Sequence, residues 1–187
     1  MLKQTRSCNN CTTTKEKTQI DWELTVYLPT LRKEITMQEL WRSLWTSLDI
    51  EDFSCPNCNS LSGQLTWSLV KPPKYLCIHI LRTATNGEKI NTKISSYDLS
   101  GYKIKAVIEH HGRNTTGGHY TRCVKSSAWE WINFDDSTVT STSKPPLDAY
   151  IAIYELQTNK GNQHKTYGAI STSNSHITSD AAKSSYF

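Results

Sequence analysis

The sequence lacks any apolar run near the ~20 residues that a membrane-spanning helix needs, and Met1-Leu2-Lys3-Gln4-Thr5-Arg6 gives way to polar residues. Neither a membrane span nor a secretory signal is expected, and an intracellular protein of cytoplasm or nucleus is the default. It also lacks any block of like charges. The net charge of +4 comes from singly scattered Lys and Arg, too mild a field to argue for a phosphate backbone as partner. No internal repeat is visible. With 187 residues and 36% hydrophobic content, one ordinary domain with a real core is enough to account for the chain.

Six cysteines are present, four of them in two pairs of identical spacing, Cys8-x-x-Cys11 and Cys55-x-x-Cys58. Without a secretion signal, metal binding is favoured over disulfides. Each pair can present two thiolates on a tight knuckle, and four thiolates complete the closed tetrahedral shell of structural zinc. The 43 residues between Cys11 and Cys55 exceed the gap of a compact zinc ribbon, so intervening structure must bring the knuckles together. Four ordinary thiols or a redox pair is the alternative. A nucleic-acid-binding ribbon would want clustered basic and aromatic residues, and Cys8 to Lys17 offers only Lys15 and Lys17. Cys77 and Cys123 sit alone in apolar stretches, as small core residues do.

Hydrophobic periodicity supplies the elements. Ile20, Trp22, Leu24, Val26 and Leu28 alternate with polar residues, predicting a half-buried strand ended by Pro29. Thr36-Met37-Gln38-Glu39 has the form of a capping box, and the apolar spacing after it predicts a helix from about Thr36 to Leu48. Cys55-Pro56-Asn57-Cys58 reads as a tight turn and Gln64 to Val70 as a return strand. Tyr75 to Leu81 is almost continuously apolar, predicting a central strand covered on both faces with His79 as a satisfied core histidine. Thr83 to Ser100 reads as a loop with little regular structure. Tyr102 to His110, Tyr120 to Lys125, Trp129 to Phe134 and Ala149 to Leu156 form an expected antiparallel meander. From about Gln157 to Phe187, Ser, Thr, Asn and Lys predominate and a disordered tail is expected.

Among His110, His111 and His119, only His119 follows two glycines, Gly117 and Gly118, which would let a substrate backbone approach closely. A thiol protease needs such a histidine as base and a carboxylate or amide to orient it. Pairing of the strands after His119 and before Asp135 would bring those two residues together; on spacing alone, Asp135-Asp136-Ser137 serves equally well as a polar turn.

The segments Tyr102 to Gly112, Gly117-Gly118-His119-Tyr120-Thr121 and Trp131 to Val139 resemble the histidine box of ubiquitin-specific proteases. Ala149 to Glu155 resembles the closing strand of that family, Pro73 to Arg82 its central strand, and the two Cys pairs the zinc knuckles of its fingers. The likeness runs from about Lys3 to Leu156. It implies His119 as general base, Asp135 as its orienter and Asp136 as support for the site or the oxyanion. Gly117, Gly118 and Tyr120 would be substrate-binding, the glycines bordering a narrow channel for the Gly-Gly end of ubiquitin. The expected architecture is α+β: a papain-like cysteine protease palm dominated by antiparallel sheet, about residues 71–156, with a zinc-knuckle fingers extension, about residues 5–70.

Two departures from the family qualify the expected activity. The family's nucleophilic Cys lies on a helix far upstream of the fingers, and nothing here resembles that box, so the thumb with its nucleophile is absent and Cys8 reads as a zinc ligand. Either the chain is part of a longer product or a separate segment must complete it. The stretch Thr83 to Ser100 is also shorter than usual, and Arg82-Thr83 replaces a more usual basic-aromatic ending. A deubiquitinase-like thiol peptidase acting after the ubiquitin C-terminus, incomplete in this chain, is the first expectation. An inactive ubiquitin-binding scaffold is the second, and a nucleic-acid binder the weakest.

Overall fold

The computed structural model describes residues 1–51, 53–112, 114, 117–128 and 130–157. In chain order the elements are β1 (Leu2–Cys8), β2 (Thr14–Gln19), β3 (Leu24–Tyr27), β4 (Glu34–Thr36), α1 (Met37–Ser43), β5 (Leu48–Ile50) and β6 (Gly63–Leu69). There follow β7 (Tyr75–Leu81), β8 (Lys93–Ser96), β9 (Tyr102–His111), β10 (His119–Lys125), β11 (Trp131–Asp135), β12 (Thr138–Thr142) and β13 (Ala149–Leu156). A seven-stranded sheet runs β12-β11-β10-β9-β13-β7-β3, a four-stranded one β2-β1-β6-β5, and β4 pairs with β8. The large sheet is antiparallel except where β3 lies parallel to β7.

Side chains alternate across a pleated strand, so register identifies a single buried face. Leu24 is opposite Ile78, Ile78 opposite Ala152, Ala152 opposite Val107, and Val107 opposite Cys123; all five are buried. Met37 and Leu40 of α1, Ile35, Ile94, Tyr97 and Leu99 join these residues in one apolar core. Burying each large aliphatic side chain contributes roughly 1.5–3 kcal/mol, which is what holds the short helix in place. The helix starts where its capping box requires: Glu39 N–H donates to Thr36 Oγ1 at 3.2 Å and Thr36 N–H to Glu39 Oε2 at 2.8 Å.

Several expectations need correction. The helix stops at Ser43, not Leu48, because Leu48 pairs with Leu65 in the four-stranded sheet. The strand expected from Ile20 forms only from Leu24; Leu24, Val26 and Leu28 are buried, but Ile20 and Trp22 are 76% and 94% exposed. β7 buries Leu76, Ile78 and Ile80 on one face only and sits one strand from the sheet edge. His79, on its half-covered face, therefore lies 3.6 Å from Glu23 Oε1 and is no core histidine. Thr83 to Ser100 contains β8 and a bridge between Thr83 and Lys89 around a turn in which Gly87 has φ 82°. The expected tail lies outside the described residues except for Gln157, whose N–H donates to Gly101 O at 2.9 Å. Trp129, the expected first residue of a strand, also lies outside them; the strand is described from Trp131.

Buried Arg82 anchors the stretch after β7. Its guanidinium donates to Ala149 O at 2.7 Å, Thr92 O at 2.8 Å and Ile90 O at 3.1 Å. A buried cation needs such partners, and these tie the 83–92 stretch to the start of β13. The basic half of the Arg82-Thr83 ending is thus a structural anchor; the departure from a basic-aromatic ending lies in Thr83.

Candidate functional site

The end of the large sheet gathers the histidine-box residues. In the β9–β10 pair His111 is opposite His119, and in the β10–β11 pair Cys123 is opposite Asn133. Alternation then puts His119, Thr121, Cys123, Asn133 and Asp135 on one face. His119 Nε2 lies 2.5 Å from Asp135 Oδ1, and His119, Asp135 and Asp136 each offer a ligand-type atom within 4.8 Å of the others. Asp135 ends β11, while Asp136, with φ 48°, turns the chain into β12. Both readings of Asp135-Asp136-Ser137, orienting acid and polar turn, thus have a geometric counterpart, in neighbouring residues. Among the described residues, Nδ1 of His119 has no hydrogen-bond partner.

The bond to Asp135 raises the His119 pKa above its ordinary 6.5; partial burial opposes this, and the charges of Asp135 and Asp136 add to it. A raised folded value makes the pair's stabilisation complete below the unfolded pKa and lost as pH rises through the folded one. With the His119 side chain 44% exposed, salt screens much of that effect. An imidazole NMR titration is expected to give a midpoint above 6.5 that falls back in Asp135→Ala. An unchanged midpoint would show that the pair does not form in solution.

The glycines differ. Among the described residues, a Cβ at Gly117 would meet nothing within 4 Å, whereas one at Gly118 would strike the His110 ring and lie 2.7 Å from His111 O. Tyr120 is 59% exposed, and its ring lies 4.7 Å from that of His110. His111 Nε2 pairs with Thr121 Oγ1 at 2.8 Å. Neither isolated thiol offers a nucleophile at His119. Cys123 is buried and donates to Asn133 Oδ1 at 3.3 Å, with its pKa raised by burial to about 11; Cys77 is likewise raised by burial on β7.

At the far end of the four-stranded sheet, Cys8 closes β1 opposite Gly63, the first residue of β6. Cys8 N–H donates to Thr13 O at 2.9 Å, making the first knuckle, and Cys55 N–H donates to Ser60 O at 2.9 Å, making the second. The left-handed residue of the second knuckle is Asn59, φ 56°. Cys8 and Cys58 sulfurs are 3.5 Å apart, Cys11 and Cys55 sulfurs 3.6 Å, and all four lie within 4.8 Å of one another. A tetrahedron with metal–sulfur bonds of ~2.3 Å has edges of roughly 3.8 Å, so this cluster could hold one metal ion. Bonds from Thr13, its hydroxyl first, pull the Cys11 thiol down to about 6, and the Cys58 N–H lowers Cys55. Cys58 feels the Ser60 N–H pulling down, but Cys8, burial and the other thiols push it up to about 12. Four thiols that cannot all ionise side by side are a donor set that a cation would satisfy.

Sequence reasoning weighed His110 only as a candidate base and set it aside, and it missed Lys89, which with His110 lies behind the glycines, and Phe53, which packs on Cys8 and Cys55. Only the position of Phe53 two residues before Cys55 offered a signal.

The fold of the described residues, mostly antiparallel sheet with one helix, is shared with solved deubiquitinase modules. The structure titled "SAGA Ubp8/Sgf11/Sus1/Sgf73 DUB module bound to ubiquitin aldehyde" matches with TM-score 0.70 and 21% identity, covering 84% of this chain and 41% of that one. A yeast SAGA DUB module gives TM-score 0.67 at 22% identity, covering 84% of this chain and 40% of that one. Residues 1–154 match the family model described as ubiquitin carboxyl-terminal hydrolase, and the chain belongs to that family, on its ubiquitin-specific protease side. Ubiquitin carboxyl-terminal hydrolase 2 of Homo sapiens is 29% identical over 184 residues, 83% of this chain and 30% of that protein. Ubiquitin hydrolase B of Dictyostelium discoideum is 26% identical over 172 residues, 81% of this chain and 38% of that protein. Probable ubiquitin carboxyl-terminal hydrolase 16 of Schizosaccharomyces pombe is 32% identical over 135 residues, 60% of this chain and 29% of that protein. The chain thus spans well under half the length of these relatives. Among the described residues no helix is long and apolar enough to cross a membrane.

Proposed function

We propose that residues 1–156 form the fingers and palm of a deubiquitinase-like thiol peptidase, with His119 as base, Asp135 as its orienter and Asp136 supporting them. The contact between His119 Nε2 and Asp135 Oδ1 at 2.5 Å carries the reading. Asp135 accepts a hydrogen bond from Nε2–H, which fixes the tautomer and leaves the Nδ1 lone pair for a thiol brought by another segment. Nδ1 takes the thiol proton as the sulfur attacks the carbonyl carbon of the last ubiquitin glycine, Asp135 stabilises the imidazolium, and the same proton leaves on the amine as its bond to that carbonyl breaks. Water then repeats the cycle on the thioester.

Gly117, whose bare backbone no neighbour among the described residues explains, supports a channel for a Gly-Gly tail, with Gly118 and Tyr120 as its other walls. Zinc is the proposed metal of Cys8, Cys11, Cys55 and Cys58, where it would supply structure and no catalysis. Four thiols held reduced for a metal fit an intracellular compartment. An open groove of about 1140 Å³ between the two sheets, lined by Arg6, Trp22, Trp45, Trp67 and Cys77, is a surface on which part of a protein partner could lie. The composition of residues 157–187 supports a disordered tail.

A second reading, an inactive ubiquitin-binding module, is favoured by one observation: neither Cys77 nor Cys123 is placed to react. Calorimetric titration with ubiquitin and a ubiquitin C-terminal ester assay test both readings. The folded chain is expected to bind ubiquitin without turning over the ester. No binding would remove both readings, and turnover abolished by His119→Ala would place the nucleophile in this chain after all.

A further inference from the structure

His110 is one of the few buried polar residues, 3% exposed, on the sheet face opposite to that of Val107, and Nδ1 of its ring has no hydrogen-bond partner among the described residues. Its surroundings are aromatic: the Tyr120 ring centroid lies at 4.7 Å and that of Tyr150 at 5.1 Å. Glycine approaches it on two sides. A Cβ built on Gly112 would lie 2.8 Å from the imidazole Cε1, and one on Gly118 would overlap the ring. Lys89 reaches in from the stretch that Arg82 anchors, donating to His110 O at 2.9 Å and Gly112 O at 2.8 Å, with its ammonium 5.6 Å from the Tyr150 ring.

A buried imidazole nitrogen without a partner costs free energy that an apolar ring of similar size would not, so burial alone does not account for it. What the ring does geometrically is plain. It occupies the volume behind Gly112 and Gly118, and it backs the one ring, Tyr120, that stands exposed immediately after His119. We propose that His110, pinned by Lys89, is a positioning residue that sets the path of Gly117-Gly118 and the pose of Tyr120, and thereby the grip on an incoming Gly-Gly tail. The inference rests on the ubiquitin reading above and assigns His110 no contact with the reacting atoms. Burial, with Lys89 and His111 nearby, lowers the pKa of His110, which keeps the ring neutral as this packing requires.

The experiment titrates the full chain with ubiquitin and with ubiquitin lacking its two terminal glycines. Wild type is expected to bind the full-length form about tenfold more tightly. His110→Ala is expected to erase that difference while leaving affinity for the truncated form unchanged, because the groove between the sheets is untouched. Equal weakening toward both forms would mark a general structural role and overturn the proposal, as would retained discrimination. Wild type that binds both forms equally also overturns it, yet leaves the ubiquitin reading standing; wild type that binds neither removes the ubiquitin reading, and this inference with it. Should His110→Ala fail to fold, Lys89→Met removes the two carbonyl bonds without touching the ring. It is expected to reduce the discrimination, and unchanged discrimination there overturns the proposal.

Discussion

Stripping metal from the purified chain is expected to unfold the tip of the four-stranded sheet and leave the seven-stranded sheet intact. The tip has almost no core of its own: Cys8, Phe53 and Cys55 are its buried apolar residues, with Cys11 and Ile50 partly buried beside them. So little apolar area cannot offset the entropy of ordering two knuckles, whereas zinc held by four thiolates contributes an apparent ~10–16 kcal/mol in small zinc-finger peptides. The other end of the same sheet is secured differently, since Leu2 belongs to the main core and Leu69 packs against it. Amide exchange should therefore rise steeply around residues 7–14 and 50–64 on chelation, and stay slow in β7, β9 and β13. Elemental analysis is expected to find one zinc per chain, and Cys55→Ser to reproduce the chelated state. A chain with no bound metal and a protected tip would remove the metal site.

What the sequence revealed and concealed follows from the range of the interactions. The capping box at Thr36 was legible because it closes within four residues, but the end of the helix was not, because a pairing 17 residues away takes Leu48 into β5. β1 and β2 carry Lys, Thr, Gln and Ser with no apolar alternation; their strands come from pairing and from the knuckle that joins them. β12 is exposed along its whole length and exists only through its ladder with β11. Hydrophobic period detects burial, so strands that bury little escape it.

The candidate site divides in the same way. His119 and Asp135 were readable as a pair because two adjacent antiparallel strands return the chain to its starting point. The insertion of β13 between β9 and β7 was not readable, since strand order depends on crossovers that no local pattern records. His110 stayed hidden beside a more conspicuous neighbour: an imidazole in an alternating strand reads as polar, and only the assembled fold shows glycines on two sides of it. Arg82 is the same case at the end of β7, a charged residue whose partners are backbone carbonyls distant in sequence.

Joined to a segment that places a thiol at His119 Nδ1, the chain is expected to hydrolyse ubiquitin C-terminal esters, and the largest single loss should follow His119→Ala. General base catalysis contributes about 10²–10⁴-fold, and kcat/KM should fall by that much with ubiquitin affinity unchanged. The substitutions at Asp135 separate its two contributions. Asp135→Asn keeps an oxygen that can accept the Nε2 proton but loses the charge that stabilises imidazolium, so it should retain part of the activity. Asp135→Ala loses both and leaves the ring, 44% exposed on its side chain, free to rotate or change tautomer. The expected order of kcat/KM is wild type, then Asp135→Asn, then Asp135→Ala, with His119→Ala lowest. Asp135→Ala as active as wild type would show that the 2.5 Å contact positions nothing, and the orienting role would then pass to Asp136, which lies in the same cluster and whose replacement by Ala would produce the loss instead.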